Sequence, residues 1–153
     1  MNLKTMDMVR VAKLSREDYK DLNTVEKCLE FFIDTVPNNS YYFPIRGEGH
    51  KLSTKYDHTG ALILFSYYKN VYALGFIKDV KEEDNRIVGV YLEEYNYKVF
   101  DDEKFFELEE LEGALGFEIF DFNFNNQGWN VLTGENAQIV FNYLSDVKGI
   151  DLN

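Results

Sequence analysis

The residues able to do chemistry in this 153-residue chain gather in few places. R46-G-E-G-H-K-L-S-T-K-Y-D-H-T-G60 is polar, glycine-punctuated and holds both histidines, and long loops inside a domain are often functional. His50 and His58 stand eight apart with Asp57 adjacent, but no third ligand follows at a recognisable metal-site spacing. Arg46 opens a basic, glycine-bearing loop able to approach a phosphate or a base. That loop lacks the Walker spacing and runs on into more loop, so a Walker motif is rejected. No G-x-S-x-G elbow is present, and Ser66 sits inside an apolar strand. Cys28 lies beside a helical apolar stripe and reads as a small packed hydrophobe. Glu93 and Glu94 point to opposite faces of a strand and cannot act together, and Asp121 reads as solvent-facing before it reads as pocket-lining.

The aromatics are the stronger lead. Tyr41 and Tyr42 precede the polar loop, Tyr67 and Tyr68 precede a hairpin turn, and Trp129, the only tryptophan, follows Gly128. A planar base sandwiched by such rings gains about 1–3 kcal/mol per stack. For most of the tyrosines ordinary sheet packing is the competing reading. Trp129 either plugs the core between the last strand and the last helix or floors a pocket.

Charge narrows the partners. The net charge is −11, with nine Lys/Arg against eight Asp/Glu in residues 1–55 and seven against nineteen in residues 56–153. The densest acidic run carries Asp101, Asp102, Glu103, Glu107, Glu109, Glu110 and Glu112 around a single lysine. It reads first as the solvated face of a helix, and otherwise as a surface aimed at a basic protein or imitating nucleic-acid phosphates. Nonspecific DNA binding through the whole surface is disfavoured, because it depends on Lys and Arg replacing counterions. One cysteine excludes an internal disulfide, and no cofactor is expected. The N-terminus lacks the apolar core of a signal peptide and no run approaches 18 apolar residues, so the expectation is a cytoplasmic protein without a membrane span.

These residues need elements to hold them. Tyr19, Leu22, Val25, Leu29, Phe32 and Val36 recur at helical spacing, predicting a helix from Ser15 as N-cap to Val36, ended by Pro37. Tyr41–Ile45 reads as a short strand whose Pro44 argues for an edge. A61-L-I-L-F65 reads as a strand buried on both faces, with a turn at Lys69-Asn70 and a return over residues 71–77. A second turn at residues 82–85 leads into residues 86–100, one long strand or two joined ones. Asp101 or Asp102 caps a short helix with Phe105, Leu108, Leu111 and Leu115 inward, and residues 117–124 alternate as a strand. Thr133 caps a last helix bearing Ala137, Val140, Leu144 and Val147. The order predicts one α+β domain over residues 1–153: a curved antiparallel sheet or pseudo-barrel, an N-terminal helix, a short helix after the meander and a C-terminal helix.

The chain resembles the PUA-like superfamily, especially its EVE/ASCH-type domains. The resemblance rests on the hairpin A61-L-I-L-F-S-Y-Y-K-N-V-Y-A-L-G-F-I-K78, on Y97-K-V-F100 with the following short helix, and on Q127-G-W-N-V-L-T-G-E-N-A137. It spans residues 41–145, with residues 10–40 as a leading helix. It implies a pseudo-barrel whose central pocket takes a flipped, often modified, base. Tyr42 and Arg46 would stand at the loop entry with His50 in the loop, Ser66, Tyr67 and Tyr68 on the hairpin, and Trp129 near the closing turn. The chain departs from that pattern in its acidity, since nucleic-acid-binding members carry a basic rim. Two functions follow as expectations. One is a noncatalytic module recognising a nucleobase or nucleotide. The other is a small acidic inhibitor or adaptor, of mobile-element character, that occupies a basic surface of a host defence protein.

Overall fold

The computed structural model describes residues 8–45, 52–53, 57–101, 104–119 and 129–152. β1 (Met8–Leu14) is followed by turns over residues 15–24. α1 (Val25–Glu30) continues through a π-helical turn, Phe31–Thr35, into α2 (Val36–Asn38). Then come β2 (Tyr42–Pro44), β3 (Leu52–Ser53), β4 (Leu62–Tyr67), β5 (Asn70–Glu83), β6 (Arg86–Leu92), β7 (Lys98–Val99) and β8 (Phe106–Glu107). α3 (Leu108–Leu115), β9 (Trp129–Thr133) and α4 (Gly134–Asn142), with a second π-helical turn over Tyr143–Val147, complete the order.

The α+β class holds, and the sheet is mixed. Its strands run β2-β6-β5-β4-β1-β9, with β3 on β6 and β7 and β8 on β5, and it does not close into a barrel. β4, β5 and β6 form the expected antiparallel meander, but β1 pairs with β4 in parallel, Val9 opposite Leu62 through Leu14 opposite Tyr67. A parallel pair demands a long crossover, and residues 15–61 supply it. β4 is buried throughout because both faces are covered. Ile63, Phe65 and Tyr67 meet Cys28, Phe32 and Val36 of the α1–α2 segment. Leu62 and Leu64 meet Leu111 and Leu115 of α3 and Ala137, Val140 and Leu144 behind β9.

Five local expectations are corrected. The N-terminal helix starts at Thr24, not Ser15. Ser15 Oγ accepts from the amides of Glu17 and Asp18, but the chain only turns there, and Thr24 Oγ1 accepts from the Lys27 amide to begin the helix. The hairpin turn is Tyr68-Lys69, one residue early. α3 starts at Leu108 after β8 with Glu107 at its N-cap position, so the expected cap at Asp101 is not found, and Asp102 lies outside the described residues. Val147 is 66% exposed, because the π-helical turn that it ends winds more residues per turn and carries it off the buried stripe. Residues 120–124 of the expected strand lie outside the described residues. Residues 117–119 are not strand, with Phe117 exposed and Ile119 buried.

The first π-helical turn explains how the helix passes through Pro37. Its bonds span five residues, as when the Val36 amide donates to Phe31 O. The next bond would run from residue 37 to Phe32 O, and proline has no N–H to give. The Tyr97 hydroxyl donates to Phe32 O instead, at 2.6 Å. Burial pushes the Tyr97 phenol well up, so the group stays a donor.

Candidate functional site

β1 and β4 end side by side at Leu14 and Tyr67. The chain leaving β1 and the turn leaving β4 therefore become two walls of one cleft of about 750 Å³. A volume of this size falls within the range of small-molecule sites. Arg16, Glu17 and Lys20 stand on the first wall, Tyr68 and Asn70 on the second, and Cys28, Tyr67 and Tyr72 line the interior, beside Asn23, Thr24 and Val25 where α1 begins. A bulge aims Tyr72. Ser66 pairs with Val71 and Phe65 with Ala73, so Tyr72 is the extra residue and turns to the same face as Cys28 and Tyr67.

Side chains from the interior pin the first wall. Tyr67 OH donates to Tyr19 O at 2.9 Å, and the Cys28 thiol reaches Leu22 O at 3.7 Å. Asn70 Nδ2 donates to Tyr72 OH at 3.4 Å. Burial pushes the Cys28 thiol up despite a hydrogen bond with Tyr72, so it is no thiolate nucleophile. Burial likewise raises the Tyr67 and Tyr72 phenols, with Arg16 pulling the first down and the Asn70 bond the second. The interior is thus a set of neutral donors. Acids near it include Glu17 on the wall and Asp21, which adds to the upward push on Tyr67.

Among the described residues two tyrosines sit at positive φ, the half-buried Tyr41 and, in the cleft, Tyr68. Tyr68 is 60% exposed, with φ at 54°, and Lys69 follows at 70°. The other tight hairpin turn places Asp84 and Asn85 at positive φ, residues that tolerate it, whereas a bulky tyrosine there is strained. Strain kept in an exposed aromatic is an observation from which function is argued. The guanidinium carbon of Arg16 lies 4.5 Å from the Tyr68 ring centroid, a cation–π contact, and Tyr67 meets Tyr68 edge-on at 6.2 Å.

Of the residues singled out from sequence, the cleft brings together Tyr67 and Tyr68. Ser66 is buried and donates to Ala12 O at 3.0 Å, stitching β4 to β1. Tyr42 stands apart on β2, tilted against Tyr91 at 4.7 Å and lying over Gly89, where a Cβ would overlap its ring. Arg46, His50 and the Trp129 side chain lie outside the described residues; the Trp129 backbone opens β9 opposite Ala12. His58 is buried, and its Nδ1 faces Arg10 Nη2 at 3.2 Å. Arg16, Lys20 and Tyr72 were not singled out. No local pattern points to the cations, since they follow β1, whose residues 9–12 are all buried with the charged Arg10 among them.

The acidic run divides. Glu110 pairs with Lys148 at 3.0 Å and accepts from Tyr143 OH at 3.2 Å, and Glu112 Oε2 accepts from the Ile119 amide at 2.7 Å. Asp101, Glu107 and Glu109 are exposed, and Asp102 and Glu103 lie outside the described residues. The hydrogen bond from Lys148 holds the Glu110 carboxyl below its usual range. Burial first, then the Glu110 charge, pushes Tyr143 up to about 12. A raised folded-state value means the contribution is complete below the ordinary tyrosine value and lost as pH rises through about 12. Melting curves between those limits should therefore show wild-type stability falling more steeply than that of Tyr143→Phe. Parallel curves would place the alkaline loss elsewhere.

Compared with known proteins, the chain matches no family model, no curated protein and no solved structure. Among the described residues no helix is long and apolar enough to cross a membrane, and no three His, Cys, Asp or Glu residues stand together as a metal site needs. Fold and cleft define a small α+β protein with an open mixed sheet and a cation-walled aromatic cleft at its parallel strand ends.

Proposed function

We propose that this chain is a noncatalytic binding module that recognises a nucleobase or nucleotide in the cleft beside Tyr68. The observation that carries the reading is the strained, exposed Tyr68 ring beside Arg16 and Lys20. An aromatic face supplies sequence-tolerant stacking and the cations supply affinity for phosphate. The cleft lining sets two cations, Arg16 and Lys20, against one acid, Glu17, and so is locally positive within an acidic chain. The PUA-like reading is the finer form of the proposal, with a modified base in DNA or RNA as ligand. It rests on the Ala61–Lys78 hairpin that bears Tyr67 and Tyr68. A basic protein partner is the second reading, resting on exposed Asp101, Glu107 and Glu109.

The test is a calorimetric titration with the four ribonucleoside 5′-monophosphates and short single strands, on wild type and on Tyr68→Asn/Lys69→Gly. That variant installs the turn residues positive φ favours, so its melting temperature should rise while affinity falls roughly 5- to 150-fold. Wild type binding none of the ligands ends the reading. Undiminished binding by the variant removes Tyr68 as the stacking platform.

A further inference from the structure

Resting on that reading, we infer that the ligand carries a terminal phosphate and that Arg16 is a placeholder which exchanges the Tyr68 ring for that phosphate. The guanidinium carbon lies 4.5 Å from the ring centroid, so it covers one face of the ring. The Tyr67 ring stands edge-on to Tyr68 at 6.2 Å, which leaves no slot for a planar base between the two. A base stacking on the face that Arg16 covers must displace it. Arg16 is exposed on a long flexible side chain, so it can leave the ring without unfolding its wall.

The released guanidinium stays at the cleft, because its backbone belongs to the wall that Tyr67 and Cys28 pin. Lys20 lies on the same wall with Glu17, so two cations and one acid border the space beside the ring. An arginine fork matches phosphate oxygens in pairs, and Lys20 adds a point charge. A neutral nucleoside has to evict Arg16 and offers it nothing in return. A nucleotide evicts it and takes it up again. The cleft thus selects the 5′-monophosphate group, free or at the end of a strand.

The experiment measures dissociation constants of the four ribonucleosides and their 5′-monophosphates for wild type and Arg16→Ala, with a 5′-phosphorylated trinucleotide as a further arm. Removing the placeholder should tighten nucleoside binding about two- to five-fold, the size of an exposed cation–π contact. The same change should weaken nucleotide binding roughly ten- to a hundred-fold, as loss of a charged hydrogen-bonding partner does. Opposite signs support the exchange. Weakening of both would make Arg16 a second slab of a sandwich, and tightening of both would make it a mere obstruction; either result overturns the inference, as does no change. If wild type binds nothing, the reading of the cleft itself fails. Trinucleotide binding equal to that of the monophosphate assigns the phosphate to a strand end, and weaker binding assigns it to a free nucleotide. Because Arg16 is exposed, melting temperatures should match and the comparison stays one of binding.

Discussion

Phe65→Ala is expected to cost about 3–5 kcal/mol of stability, the range for removing a buried aromatic ring. Phe65 is fully buried in the middle of β4, its ring 4.7 Å from Phe43 and 5.6 Å from Phe32. It thereby joins three elements: the meander, the edge strand β2 and the helix that crosses between β1 and β4. Truncation leaves a cavity between rings that cannot collapse without moving a helix against a sheet. Phe65→Leu, which keeps much of the apolar volume, should cost about 1–2 kcal/mol. Urea unfolding of the two variants measures both values. A cost for alanine no larger than for leucine would mean the site collapses freely and the three rings do not form one packed unit.

His58→Ala is the second large effect, at about 1.5–3 kcal/mol, the worth of a hydrogen bond to a charged group. Arginine has donors and no acceptor, so in the 3.2 Å contact His58 Nδ1 must be the acceptor and the ring proton must sit on Nε2. Arg10 is a β1 residue on the inward face beside Ala12 and Leu14, and taking away an acceptor leaves a guanidinium group in an interior with less to bind. The decisive comparison is with Arg10→Met and the double variant. Replacing both partners should cost less than the two single changes together, since no charge is then stranded. Strict additivity would show that the pair is not an energetic unit.

These two residues also show what the chain's pattern displays and what it conceals. The β4–β5 hairpin is plain because L62-I-L-F65 is apolar without interruption, as a strand covered on both faces must be. The inward stripe of α4 is equally plain at Ala137 and Val140 and breaks at Val147, because a π-helical turn has no signature in a 3.6-residue pattern. β1 stayed hidden because Arg10 occupies an inward position, and its partner His58 lies 48 residues away. The cleft was half visible. Tyr67 and Tyr68 are adjacent in sequence, whereas Arg16 reaches them only through the parallel register of Leu14 with Tyr67. No local pattern encodes a register across a crossover. Tyr42 stands away from the cleft because two strands, β6 and β5, separate β2 from β4.

The donor that Tyr97 supplies to Phe32 O has a further meaning for the cleft. Excised as a peptide, residues 25–38 would contain a proline that interrupts their own hydrogen-bond ladder and a carbonyl left to water. Within the protein that ladder is completed from the connector between β6 and β7, 65 residues along the chain. The helix that contributes Val25 and Cys28 to the cleft is therefore not a self-sufficient piece. It becomes whole only when the sheet has brought Tyr97 to it, so this wall of the cleft is an assembly product of distant parts of the chain and cannot be transplanted as a segment.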